Sequence, residues 1–466
     1  MATDISASLR ENKTLNFKQK LTMVWLLSIP TVLAQISSIA MQYIDAAMVG
    51  SLGANASASI GLVSSTTWLF GGICMASSYG FSVQIAHAVG AGDSKTSKRI
   101  FRHGLIVVTC FSLFMMLIGI AISGKLPTWL GAEDSIKTAA TQYFFIYACF
   151  LPVRQLNWYG EAALQASGNT RTPGILNVLM CIMDVLFNML FIFETGQYAL
   201  GNINLPGFGF GVAGAALGTG VAEIVSCMLM LYFACFRSTY IKVERDGLYR
   251  FDENTQIKAI KISIPIALEQ AAICGAMVMT TRIVAPLGAI AVAANSFAIT
   301  AESICYMPGY GLEAAATTLV GQAFGAGRKE LAKSFAWITT VFGIAIMGCT
   351  AVIMFLLCPF VFEFLTPDTA VQALGIKVLR IELFAEPLYA ASIVATGALR
   401  GAGDTFIPSI MNLVSIWGVR LVLAFILVPI YGLSGAWIAM CIELCFRGTI
   451  FLIRLARGKW LDKIAL

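Results

Sequence analysis

Long apolar segments alternate with short polar ones along almost the whole chain. Each apolar segment has about twenty or more residues, the length that an α-helix needs to cross the hydrocarbon core of a bilayer. Glycine, proline or clusters of charged residues bound each one. The pattern predicts twelve transmembrane helices, near residues 21–49, 58–88, 104–124, 138–166, 174–193, 211–236, 258–285, 292–323, 335–362, 373–399, 405–428 and 433–453.

The composition excludes a water-soluble protein. Of the 466 residues, 58% are hydrophobic and only 12% are charged, about half the charged fraction of a typical soluble domain. The mean hydropathy is +0.80. The net charge of +6 does not indicate nucleic acid, because the basic residues lie between apolar segments, where they act as topology signals. We therefore expect an all-α membrane protein whose main partner is the lipid bilayer.

Basic residues fix the predicted orientation. The loop after the second segment contains Lys95, Lys98, Arg99 and Arg102, whereas the predicted outer loops contain only Lys125, Lys137, Lys377 and Arg380. Because basic loops resist translocation, we expect both termini to be cytoplasmic in a multi-pass protein of the cytoplasmic (inner) membrane. The first segment is followed by no small-residue cleavage site, so it is predicted to be a retained helix.

The two halves of the chain repeat each other. A shift of 235 residues superposes Ser28-Ile29-Pro30 on Ser263-Ile264-Pro265 and Asn177 on Asn412 without a gap. The repeat predicts an N-terminal six-helix lobe (1–236), a charged cytoplasmic linker (237–257) and a C-terminal six-helix lobe (258–466). Because six is even, both lobes have the same orientation and are related by a pseudo-two-fold axis along the membrane normal.

Polar residues in the first and fifth segments form two helical stripes. Gln35 and Gln42 lie seven residues apart with Asp45 close beside them, and Asn177, Asp184 and Asn188 lie seven and four apart on one helix face. A carboxylate at the helix centre costs about 2.5–3.5 kcal/mol. The functional interpretation is an ion-coupling site at Asp45, Asp184 and Asn188, with Gln35, Gln42 and Asn177 lining a substrate cavity. The alternatives are snorkelling of Asp45 to the outer interface and helix-to-helix hydrogen bonds made by the second stripe.

The second half contains further acids at membrane depth. Glu269 stands beside Gln270, the repeat partner of Gln35, and Glu302 and Glu386 lie in later segments. We interpret these four residues as candidate cavity residues.

Two ion pairs are also predicted from spacing alone. Glu382 is one turn from Glu386 and close to Lys377 and Arg380, which favours an ion pair for Glu382 at the outer edge. Arg154 and Glu161 lie seven residues apart on one helix face, which favours mutual neutralisation.

Motifs for enzymatic chemistry or metal binding are absent from the sequence. HExxH, GxSxG and clustered His ligands are missing, and the twelve cysteines stand singly, without metal-ligand spacing. The two Gly-Ala-Gly segments at 90–92 and 325–327 lack the P-loop pattern and favour tight turns. We expect no enzymatic activity, no catalytic residue, no cofactor and no metal site.

Three segments resemble the multidrug and toxic compound extrusion (MATE) family. They are YIDAAMVGSLG (Tyr43–Gly53), GLEAAATTLVGQAFGAGR (Gly311–Arg328) and ALRGAGDTFIP (Ala398–Pro408), and the likeness extends over essentially the whole chain. The resemblance implies a twelve-helix, V-shaped antiporter that expels organic, often cationic, compounds in exchange for Na⁺ or H⁺.

The resemblance also implies roles for individual residues. Asp45 matches the aspartate of the family's first helix that binds the coupling cation or proton. The segment DVLFNMLFIF resembles the fifth helix, with the order of the acid and the amide reversed at Asp184 and Asn188. Glu313 departs from the family, which usually has a small or neutral residue at that position.

The leading functional hypothesis is therefore an alternating-access antiporter that exports cationic or amphipathic small molecules in exchange for H⁺ or Na⁺. A monomer suffices for such a cycle. The alternative hypothesis is a flippase for lipid-linked precursors with a similar two-lobe architecture. A flippase favours basic cavity residues that bind pyrophosphate, whereas the intramembrane set here is mainly acidic.

Overall fold

The computed structural model describes residues 15–195, 199–200, 203–204, 207–243 and 252–462. Almost all of them are helical. The principal helices are α1 (Phe17–Gly50), α2 (Ala54–Ala91), α3 (Ser94–Ser123), α4 (Asp134–Ala166), α5 (Arg171–Ile192), α6 (Gly211–Tyr232), α7 (Glu253–Val284), α8 (Ala289–Gly325), α9 (Lys329–Leu365), α10 (Thr369–Glu382), α11 (Glu386–Gly401), α12 (Phe406–Tyr431) and α13 (Leu433–Arg457). Short helical turns lie at Leu126–Trp129, Ala285–Leu287 and Lys459–Asp462. In the described chain the only strands are Ala199–Leu200 and Ile203–Asn204, which pair antiparallel.

The predicted spans fall on these helices. Ten of them are long and apolar enough to cross a membrane. The other two predicted spans, 138–166 and 373–399, correspond to α4 and to the successive helices α10 and α11. The prediction of an all-α membrane protein with twelve spans is confirmed. The central part of the predicted linker, residues 244–251, lies outside the described residues.

The helices form two compact units. Unit I contains Ser37–Ile85 and Asp93–Ala267, and unit II contains Met1–Ile36, Ala86–Gly92 and Leu268–Leu466. Helices α1, α2 and α7 each contribute residues to both units, so the units do not coincide with the sequence halves. The division of the chain at residues 236 and 258 stays a prediction.

Each unit has its own apolar core. In unit I, Val63, Phe70, Phe144 and Leu151 belong to one buried cluster. In unit II, a buried cluster on α8, α9 and α11 includes Leu319, Phe335, Val394 and Leu399, and a second one includes Cys305, Phe362 and Trp437.

Two irregular segments interrupt the helices of unit II. Residues 383–385 form a turn between α10 and α11, so the predicted single span 373–399 is a broken helix. Residues Val414–Leu421 of α12 adopt the wider π-helical geometry, which is rare and frequent at functional sites. The turn separates Glu382 from Glu386, and the π-helical segment carries Arg420, which forms an ion pair with Glu443.

The Gly-Ala-Gly segments form tight turns at helix ends, as predicted. Gly92 and Gly327 have φ angles of 79° and 72°, a region that favours glycine. Helices α2 and α8 also pack closely within unit II. A Cβ atom built on Gly90 would lie 2.0 Å from the carbonyl oxygen of Gln322, and one on Gly325 would lie 2.1 Å from that of His87.

Replacing Gly90 by alanine tests this close approach. The added methyl group cannot be accommodated without separating two backbones, and such overpacking costs about 1–3 kcal/mol. We therefore expect Gly90→Ala to unfold at a lower temperature than the parent protein in detergent. Gly61→Ala is the matched control, because a Cβ at Gly61 of α2 meets nothing within 4 Å and alanine favours a helix interior by about 0.5–1 kcal/mol. Equal melting temperatures for the two variants would contradict the close packing.

Candidate ion-coupling site

Asp45, Asp184 and Asn188 come together in unit I. The Nδ2 of Asn188 donates hydrogen bonds to Oδ1 of Asp45 at 2.8 Å and to Oδ2 of Asp184 at 3.0 Å. Asp184 and Asn188 are fully buried, whereas Asp45 is partly exposed. One amide group therefore bridges two carboxylates.

The helices explain this arrangement. Asp184 and Asn188 lie one turn apart on α5, so their side chains project from the same face, and α5 packs against α6. Gly218 of α6 leaves the room for the amide, because a Cβ there would lie 2.1 Å from Oδ1 of Asn188. Asp45 comes from α1.

Two oxygens of this site have no hydrogen-bond partner among the described residues. They are Oδ1 of Asp184 and Oδ1 of Asn188, and both are buried. Carboxylate and amide oxygens are ligands that hard cations prefer. Two adjacent carboxylates away from water also repel each other, so binding one proton or one cation stabilises the pair. The geometry thus suits reversible binding of a small positive charge.

Asn177 does not join this site. It donates a hydrogen bond from Nδ2 to Oε1 of Glu161 at 2.9 Å, and the same oxygen accepts one from Gln165 at 2.9 Å. Asn177 shares the helix face of Asp184, but seven residues separate them, about 10.5 Å along the helix axis. Its predicted position on the helix face of Asp184 is therefore confirmed, and its predicted place in a substrate cavity stays a prediction.

The predicted pair between Arg154 and Glu161 is wrong. Arg154 instead forms an ion pair with Glu223 of α6, with 2.6 Å between Nε and Oε1, and its guanidinium lies 4.6 Å from the ring centroid of Tyr147. These three residues, with Thr219, line a small cavity in unit I. The partner of Arg154 was set by the packing of α4 on α6 and not by spacing within α4.

Glu269 belongs to a charged network in unit II. Its Oε2 lies 3.0 Å from Nη2 of Arg400, and the same guanidinium reaches Oε1 of Glu313 at 2.7 Å. Ser409 and Asn412 also donate hydrogen bonds to the Glu269 carboxylate, at 2.6 and 2.7 Å. Glu269 is buried and ion-paired, and its predicted place in a substrate cavity stays a prediction.

Glu302 and Glu386 lie together in unit II, and the structure adds Glu382 to them. One carboxylate oxygen from each of the three lies within 4.8 Å of the other two, and all three residues are buried. The predicted ion pair of Glu382 is wrong, because neither of its carboxylate oxygens has a hydrogen-bond partner among the described residues. Arg380 lies instead over the ring of Phe355, 4.8 Å from its centroid. Sequence reasoning missed this cluster because Glu302 is far from the other two along the chain.

The three candidate glutamines of the predicted cavity are not buried. Gln42 is exposed, and Gln35 and Gln270 are partly exposed. Their proposed role in a substrate cavity stays a prediction, as do the roles of the other candidate residues.

Comparison with known proteins identifies the family. The MatE family model matches residues 30–190 and 265–426, one match in each half of the chain. The probable multidrug resistance protein NorM of Thermotoga maritima is 27% identical over 427 residues, covering 89% of this chain and 88% of that protein. The NorM protein of Pasteurella multocida is 25% identical over 454 residues, covering 95% of each.

Solved structures show the same fold. An outward-facing multidrug resistance MATE family transporter of the MOP superfamily superposes with a TM-score of 0.87 at 20% identity, over 97% of this chain and 100% of that chain. A MOP superfamily transporter from Pyrococcus furiosus gives the same values. These relatives are transporters, in line with the prediction of a protein that is not an enzyme. Because the family model matches well over half of the residues, the chain belongs to the MatE family of multi-pass membrane transporters, the MATE transporters.

Proposed function

We propose that this chain is a secondary active antiporter that exports organic, mainly cationic or amphipathic, compounds in exchange for H⁺ or Na⁺ by alternating access. Its relatives are named multidrug resistance proteins, which supports efflux of small molecules as the general activity. The observation that supports coupling of export to an ion is the pair of carboxylates, Asp45 and Asp184, bridged by the single amide of Asn188.

The electrostatics of this site support exchange. A proton or Na⁺ bound to the two carboxylates removes their mutual repulsion, and an arriving organic cation favours their charged form. When one site binds either of two positive ligands, each lowers the affinity for the other by the same factor. That mutual exclusion is the thermodynamic requirement for antiport.

The arginines at membrane depth argue against the flippase alternative. A pyrophosphate-bearing substrate requires cations that are available to it. Arg154 is paired with Glu223, Arg420 and Arg447 are paired with Glu443, and Arg400 binds both Glu269 and Glu313. At membrane depth the described carboxylates without a cationic ion-pair partner include Asp45, Asp184, Glu161 and the three glutamates at 302, 382 and 386, which favours a positively charged cargo. We place the protein in the inner membrane with both termini in the cytoplasm.

Asp184→Asn tests the coupling role. The substitution keeps the size of the side chain but removes one of the two negative charges that bind the ion. Loss of a hydrogen bond to a charged group costs about 1.5–3 kcal/mol. A factor of ten corresponds to about 1.4 kcal/mol, so we expect uptake of a fluorescent organic cation into everted vesicles, which corresponds to export from the cell, to fall at least about tenfold. The same loss is expected for Asp45→Asn.

Asp134→Asn is the control for both variants, because Asp134 is an exposed carboxylate at the start of α4. It should retain parental efflux and expression. Full gradient-dependent efflux by Asp184→Asn and Asp45→Asn, at equal amounts of protein in the vesicles, would remove this site from the mechanism.

Reconstitution under one imposed gradient at a time identifies the coupling ion. We expect an inward H⁺ gradient or an inward Na⁺ gradient, imposed alone, to drive uphill export of the organic cation by proteoliposomes. The response to that gradient should disappear in Asp184→Asn, since the ion then has one carboxylate instead of two. Transport that only follows the substrate's own gradient, whichever ion is imposed, would contradict antiport.

A further inference from the structure

The three-glutamate cluster (Glu302, Glu382, Glu386) is built by a break in a helix. Glu382 is the last residue of α10 and Glu386 is the first residue of α11, with a three-residue turn between them. Glu302 faces them from α8, since one oxygen of each carboxylate lies within 4.8 Å of the others. Discontinuous helices in transporters expose helix ends and backbone groups that bind ions.

The carboxylates of this cluster are buried, and those of Glu382 and Glu386 lack, within the described chain, the hydrogen-bond partners that usually compensate for removing a carboxylate from water. Glu382 and Glu386 are 0% exposed, and all four of their carboxylate oxygens lack a hydrogen-bond partner among the described residues. Buried charges in proteins are normally paired or bind metal ions. Two side chains with unsatisfied oxygens, both directed at the same small volume, therefore indicate a ligand with positive charge.

The neighbouring arginines do not neutralise the cluster. Arg420 and Arg447 are its charged neighbours, but both are ion-paired with Glu443, at 2.7 and 3.1 Å. The π-helical segment of α12 carries Ser415 and Arg420, and both bond to Glu443. The guanidinium of Arg447 also lies 5.2 Å from the ring centroid of Tyr389.

The count of charges selects the class of ligand. When ionised, the three cluster glutamates and Glu443 carry four negative charges, against two positive charges on Arg420 and Arg447. The resulting net charge of −2 is neutralised by one divalent cation. Three carboxylates offer up to six oxygens, and Ca²⁺ takes about 6–8 oxygen ligands, whereas Mg²⁺ usually retains several waters. A dry all-carboxylate site thus favours the larger ion.

We propose that Glu302, Glu382 and Glu386 form a binding site for a hard divalent cation of the size of Ca²⁺, separate from the site at Asp45, Asp184 and Asn188. The cation joins α8 to the two ends of the broken helix α10–α11. This proposal does not depend on the antiport mechanism, because its evidence lies entirely within unit II.

Direct metal binding to the full-length protein tests the proposal. The purified protein in detergent is treated with EGTA and then dialysed against ⁴⁵Ca²⁺ or Mn²⁺, with ²²Na⁺ and Mg²⁺ as competitors. We expect one divalent ion per chain, displaced poorly by Mg²⁺ and by Na⁺. X-ray absorption of the Mn²⁺-loaded protein should show a first shell made only of oxygen.

Glu382→Gln and Glu386→Gln separate a metal site from a structural role. Each should weaken Ca²⁺ binding at least about tenfold, the lower range seen when groups that support a metal site are lost. In EGTA both variants should unfold at or above the temperature of the parent protein, because glutamine removes charge repulsion. Added Ca²⁺ should raise the unfolding temperature of the parent but not of either variant. Glu363→Gln, which changes an exposed acid on α9, should behave like the parent.

Several outcomes would overturn the proposal. They are absence of divalent-ion uptake by the parent protein, uptake that persists unchanged in both glutamine variants, and uptake of Na⁺ with no preference for divalent ions. If the variants fail to fold, the binding stoichiometry and oxygen shell of the parent protein still decide the question. Loss of drug efflux with intact metal uptake, or the reverse, distinguishes failure of the proposed function from failure of this site.

Discussion

An ionised side chain that helices remove from water needs a partner, and this constraint organises the interior of the protein. Burying an unpaired charge costs several kcal/mol or more, and the described structure meets the cost mainly with ion pairs between neighbouring helices. Arg154 on α4 binds Glu223 on α6 in unit I, and Arg454 on α13 donates hydrogen bonds to Asp404 in unit II. Such pairs contribute to the choice of which helix faces meet.

Against that background, the carboxylates without a cationic partner stand out. In unit I, Asp45 and Asp184 share one amide donor. In unit II, the carboxylates of Glu382 and Glu386 lack even an amide donor among the described residues. A stably folded chain does not retain such groups for packing alone, because apolar residues of the same volume fill the space at lower cost. Each cluster is explained if a proton or a cation completes its charge for at least part of the time.

The helices were predicted well because the ability of a segment to cross a membrane depends on its composition and length, and both are local properties of the sequence. The sequence also predicted the pairing of Asp184 with Asn188, since a spacing of four residues fixes a common helix face. Contacts between helices were harder to predict. Arg154 was matched with Glu161 on its own helix because nothing in the spacing reveals that α6 supplies Glu223.

The same limit explains the missed cluster in unit II. Glu302 becomes a neighbour of Glu382 only through tertiary packing. The turn after Glu382 has no strong sequence signal apart from Pro387, whose ring is tolerated in the first turn of a helix. A continuous span was therefore predicted where the structure has two helices, and the acids on both sides of the break were assigned separate roles.

The internal repeat places hydrogen-bond donors to a glutamate at corresponding positions of the two halves. The 235-residue shift relates Asn177 to Asn412, and in both units this asparagine donates a hydrogen bond to a buried or partly buried glutamate, Glu161 or Glu269. The same shift relates Gln165 to Arg400, and both also donate to that glutamate. The amide leaves the negative charge of Glu161 in place, whereas the guanidinium neutralises that of Glu269. The two glutamates are not repeat partners, because the shift relates Glu161 to Thr396 and Glu269 to Ala34. Corresponding donors in the two halves therefore contact acids from different helices, and the resulting sites differ in net charge.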